Sequence, residues 1–87
     1  MHELSLLRDV LGKIDRVAEA EGVSRVCRVT VRIGALAHIS ADHFRGHFEA
    51  ASIGRAAEGA ELRIDMLTDQ RDPLAQAIVL TSVEVVA

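Results

Sequence analysis

The residues best equipped for chemistry are the first three, Met1-His2-Glu3. A terminal amine, the backbone nitrogen of residue 2 and the Nδ1 of His2 can close adjacent five- and six-membered chelate rings on one metal ion. Nitrogen donors in a square-planar array suit Ni(II) or Cu(II), with copper bound more tightly where both compete. Three further histidines lie at 38, 43 and 47. His43 and His47 are four apart, a spacing that puts them on one face of a helix, where two imidazoles can in principle share a metal. The residues between them, Phe44-Arg45-Gly46, lack the glutamate of a zinc-protease helix. His38 sits ahead of that helix and Asp42 in its first turn, so both are auxiliary candidates to join a metal near the amino terminus. There is no phosphate-binding loop, no GxSxG elbow and no nucleophile with an evident base. The pattern argues for metal handling or interaction rather than for an enzyme.

These groups need elements to hold them. From Leu4 to about Glu21 the apolar residues Leu4, Leu7, Val10, Leu11, Ile14, Val17 and Ala18 recur with helical period, and Gly22 is placed to end the helix. Such a helix would fix the three residues that precede it. Arg25 to Ile33 alternates, with Cys27, Val29, Val31 and Ile33 on one face, which predicts a half-buried strand and a buried Cys27. Ser40 is a candidate N-cap for a second helix running to about Ile53, and Asp42 suits the positive end of its dipole. Phe44, Phe48 and Ala51 would face inward, and Gly46 would mark close packing. Leu62, Ile64 and Met66 define a second strand. Ile78 to Val86 defines a third, with Val79, Val83 and Val85 on one face. The expected fold is α+β, order α-β-α-β-β, with two helices on one face of a three-stranded sheet. Strands two and three are expected to pair as an antiparallel hairpin across a loop of about nine residues, leaving a free edge on which a homodimer could form.

The totals narrow the function class. At 87 residues the chain is one domain with a modest core, and with two aromatic residues, Phe44 and Phe48, that core must be mostly Val, Leu, Ile and Ala. A net charge of -3 offers no basic footprint for nucleic acid and no cationic face for a membrane. A single cysteine excludes an intrachain disulfide and makes no structural zinc site by itself. With neither a signal-peptide layout nor a membrane-length apolar run, the cytoplasm is the expected compartment.

Taken together, Met1-His2-Glu3-Leu4-Ser5-Leu6, Arg25-Val26, Ile33-Gly34-Ala35-Leu36, Phe48-Glu49, Gly54 and Ala57-Glu58-Gly59-Ala60 with Leu62 and Ile64 resemble the HypA/HybF family of hydrogenase nickel-incorporation accessory proteins. The likeness covers about residues 1–67, and Ile78 to Val86 is similar to the family's last strand. The resemblance implies a metallochaperone that binds Ni(II) through Met1, His2 and Glu3. It would pass the ion to a [NiFe]-hydrogenase large subunit with a GTPase partner, Glu3 supporting the site or facing a partner. Two features depart from the family. Its zinc domain, with two Cys-x-x-Cys pairs, is replaced by a short connection near 68–77, and Ser40 stands where a carboxylate is often the auxiliary nickel contact. These departures make an alternative: an interaction module of the same fold that carries no metal and docks on a hydrogenase subunit or maturation factor.

Overall fold

The computed structural model describes the backbone of residues 3–85 and side chains from Leu4 onward, so Met1 and His2 lie outside the described residues. Helix α1 spans Glu3–Glu21, strand β1 Arg28–Ile33, helix α2 Ala41–Ala51, strand β2 Glu61–Met66 and strand β3 Ile78–Glu84. The expected order α-β-α-β-β and the α+β class hold. Leu7, Val10, Leu11, Ile14 and Ala18 form the buried stripe of α1. Gly22, at φ 69°, ends that helix, in the left-handed conformation glycine adopts without steric cost. Asp15 ties α1 to the segment after α2, accepting from Arg55 Nη2 at 2.6 Å and from Arg55 Nε at 3.0 Å.

The sheet order is β2-β1-β3, with β1 parallel to β2 and antiparallel to β3. The expected β2–β3 hairpin does not form. A strand–helix–strand run brings its two strands side by side in parallel, because the helix supplies the long crossover such a pair requires. Strand β1 takes the centre, and Val29, Val31 and Ile33 are all 0% exposed. Helix α1 lies nearest β3, and α2 packs over β2. Phe44 and Phe48 fill the space under α2 and, with Leu11 and Ile14, are the largest fully buried side chains.

Local expectations fail for identifiable reasons. Cys27 precedes β1 and is exposed. Val26 points inward instead, its N–H donating to the Ala56 carbonyl at 2.9 Å, so the alternation breaks between Val26 and Val29. On β3 a bulge at Thr81 pairs Thr30 with Ser82 but Val31 with Leu80. The extra residue switches the strand's parity, so that Ile78 and Leu80 join Val83 on the core side in place of Val79. Ala51 is exposed, and Ser52 takes the inner position, its hydroxyl donating to the Phe48 carbonyl at 2.6 Å. Gly46 is exposed with nothing near a Cβ built there, so it marks no close packing.

The connection from β2 to β3 crosses the end of β1 and is hydrogen-bonded to it. Leu67 N–H donates to Ile33, Gly34 N–H to the Ala77 carbonyl at 2.9 Å, and Leu36 N–H to the Ala75 carbonyl at 2.7 Å. A Cβ on Gly34 would collide with the Ala75 carbonyl, so glycine is what lets the two backbones meet. Asp69 and Asp72 cap turns of the connection, accepting from Arg71 and Leu74 N–H groups.

Candidate metal-binding site

Met1 and His2 fall outside the described residues, and of Glu3 only the backbone, which opens the helix, is described. The helix that follows is firmly anchored. In its first turns Leu4, Leu7, Arg8 and Leu11 share a shallow cleft of about 140 Å³ with Ala51, the last residue of α2, and Arg55. Leu4 is 58% exposed there, so the first turn offers an apolar side chain to solvent just after Met1-His2-Glu3.

The second group of candidates surrounds the start of α2. Ser40 is the N-cap, and its hydroxyl accepts from the His43 N–H at 3.1 Å. That hydroxyl is engaged in holding the helix start. Asp42 lies in the first turn and is exposed. His38, also exposed, has φ 58°, the left-handed region that non-glycine residues seldom occupy. Among the described residues no three His, Cys, Asp or Glu side chains converge to hold a metal ion. His38 and Asp42 therefore do not form a preassembled site with a third described ligand.

His43 and His47 do come together. Their rings stack with centroids 4.6 Å apart and planes inclined by 20°, on the exposed side of α2. The neighbouring Arg45 is drawn away from them, its Nη1 donating to the Leu62 carbonyl at 2.8 Å. Glu61 N–H and Leu67 N–H both bond to the β1 side, so the Leu62 carbonyl faces outward and Arg45 covers part of the β2 edge.

Sequence reasoning missed the charge ladder on the sheet's open face. Arg28 on the central strand donates to Glu61 on β2 at 3.0 Å and to Glu84 on β3 at 3.1 Å. The hydrogen bond to Glu84 first, and then the charges of Glu61 and Glu84, raise the Arg28 pKa above its ordinary value. The arrangement follows from the register, which pairs Arg28 with both residues. It was invisible without knowing that β1 is central.

With the geometry described, comparison with known proteins places the chain. The class is that of small α+β folds with two helices and a three-stranded sheet: the solution structure of the Ni metallochaperone HypA from Helicobacter pylori superposes with a TM-score of 0.79 over 100% of this chain and 99% of that one. At 18% identity that likeness speaks for the fold. The family model described as HypA, hydrogenase/urease nickel incorporation, metallochaperone, matches residues 1–71. Hydrogenase maturation factor HypA of Chlorobium limicola is 43% identical over 65 residues, 75% of this chain and 56% of that protein. Hydrogenase maturation factor HybF of Salmonella typhimurium is likewise 43% identical over 65 residues, covering 75% and 58%. The chain belongs to the HypA family. It spans a little over half the length of these curated relatives.

Proposed function

We propose that this chain is a single domain, residues 1–87, that binds Ni(II) as cargo during [NiFe]-hydrogenase maturation, with Met1, His2 and Glu3 as the binding segment. The observation that carries this reading is that the family match starts at residue 1 and so includes Met1-His2-Glu3. The terminal amine, the backbone nitrogen of residue 2 and the His2 imidazole are the donors, and Glu3 supports the site or faces a partner. His38 and Asp42 are the proposed auxiliary donors. Amine, amide and imidazole nitrogens must each shed a proton to bind, so affinity falls with acidity and the ion can be released when a partner disturbs the terminus. The recipient is a hydrogenase large subunit, assisted by a GTPase maturation partner. The zinc ribbon of longer family members is replaced near 68–77 by the turn that docks on Gly34.

The test is a calorimetric Ni(II) titration of untagged protein beside His2→Ala and a chain extended at its amino terminus. The reading requires binding in the first and its loss in both others. Equal binding by all three would place nickel elsewhere.

One observation favours a second reading, an interaction module that carries no metal. Ser40, standing where relatives often have a carboxylate, uses its hydroxyl to cap α2. Under that reading His2→Ala leaves capture of the hydrogenase subunit or maturation factor intact, and only substitutions on the exposed faces abolish it.

A further inference from the structure

We propose that the open face of the sheet docks an extended acidic segment of a partner protein, which seats one apolar side chain among Leu67, Leu74 and Val79 and sets its flanking carboxylates on Arg32 and Arg63. The helices cover one face of the sheet, where Val29, Val31 and Ile33 join the core. Alternation turns Arg28, Thr30 and Arg32 of β1 to the other face, together with Glu61, Arg63 and Asp65 of β2. The register sets this face in three rows: Glu61, Arg28 and Glu84, then Arg63, Thr30 and Ser82, then Asp65, Arg32 and Val79. The first row is satisfied within itself, since Arg28 holds both carboxylates. The other two are not. Arg32 and Arg63 are exposed, and neither has an ion-pair partner among the described residues, although Asp65 lies across from Arg32.

Beyond the third row the face turns apolar. A cavity of about 70 Å³ opens there, and Arg32, Leu67, Leu74, Ala77 and Val79 line it. Leu74 is 55% exposed at this point. Asp72 also lines the cavity, but its carboxylate is engaged by the Leu74 N–H at 2.8 Å. The floor is fixed in advance, because Gly34 and Ala77 join the connection to the end of β1 by a backbone hydrogen bond. A guanidinium beside an apolar hollow calls for a carboxylate next to a hydrocarbon group. In a protein that is an aliphatic residue flanked by Asp or Glu, and arginine is the side chain that meets a carboxylate with two parallel hydrogen bonds. The chain as a whole carries a net charge of -3. Here the sign is reversed, with Arg32 and Arg63 against the one carboxylate of Asp65, so charge complementarity selects an acidic partner.

The proposal uses none of residues 1–3, so it stands or falls apart from the nickel reading. The experiment titrates 15N-labelled full-length chain with an acetylated, amidated hexapeptide of glutamates carrying one leucine. Amide signals of Arg32, Arg63, Leu67, Leu74 and Val79 should shift, and those along α1 should stay. Arg32→Gln and Arg63→Gln should each weaken binding about threefold or more, the size of a well-formed exposed ion pair. Leu74→Ser should weaken it by a similar factor of about three through lost apolar contact. Asp65→Asn removes the opposing carboxylate and should strengthen binding, whereas Arg16→Gln on α1 should leave it unchanged. Every substituted side chain is exposed, so loss of fold does not explain a weakened titration. Absence of shifts on the open face would overturn the proposal. So would equal weakening by Arg16→Gln and Arg32→Gln, which marks attraction to charge in general, or equal binding of a peptide with alanine in place of leucine.

Discussion

The two ends of the central strand β1 are closed in opposite ways. At its last residues the chain is sealed by backbone: Ile33, Gly34 and Leu36 are hydrogen-bonded to the β2–β3 connection, with no room for a Cβ at Gly34. At its first residues it is closed by side chains in water. Cys27 is exposed, its N–H and S–H both directed to the Glu84 carbonyl at 2.8 and 3.2 Å, while Arg28 bridges two carboxylates on the flanking strands. Packed backbone has a single solution, whereas an exposed ion pair trades readily with solvent. The sealed end also leads directly into His38, Ser40 and α2, so the element carrying the histidine pair is positioned from the rigid end of the sheet.

Gly34→Ala breaks this comparison most forcefully. The new methyl meets backbone carbonyl rather than a movable side chain, so about 2–3 kcal/mol of stability should be lost in urea unfolding. A loss below the error of that experiment would mean the connection is not locked on β1. Ser40→Ala, one step further along the same route, removes the cap of α2 and should cost about 1 kcal/mol. Arg28→Ala at the open end should have the smallest effect, and the difference from wild type should shrink further as salt is added. The sign of its pKa shift agrees. A group raised in the folded state contributes stability below its unfolded value and loses it only as pH rises through the folded one, so the Arg28 contribution is constant through neutral pH and fades only under strong alkali. Finally, the open end should admit reagents: the exposed Cys27 should be alkylated in the native protein without prior unfolding.

Both helices, all three strands and the Ser40 cap were legible because each follows from local chemistry: a 3.6-residue stripe, a period of two, a hydroxyl before an acidic first turn. What was not legible depended on partners distant in sequence. The central place of β1 comes from the parallel crossover through α2. The strand–helix–strand order did signal that crossover, but the short connection before β3 drew attention to a hairpin instead. The bulge at Thr81 is a matter of register between strands 51 residues apart, as the Thr81 hydroxyl on the Thr30 carbonyl shows, and no reading of β3 alone finds it. Cys27 obeys the alternation of β1 on paper. It lies outside because Val26, with its N–H on the Ala56 carbonyl, takes the inward position and breaks the alternation before Val29. Of the candidate site, the pairing of His43 with His47 was readable from their spacing. The demand on Gly34, set by a carbonyl 41 residues away, was not.

The proposed function makes one claim central, that Ni(II) is held by the Met1-His2-Glu3 segment. The direct measurement is equilibrium dialysis of Ni(II) against the untagged chain and the same chain lengthened by a few residues before Met1, both carrying His43→Ala and His47→Gln so that only the terminus is tested. The account predicts one bound equivalent in the first and none in the second. Equal binding in both would contradict it.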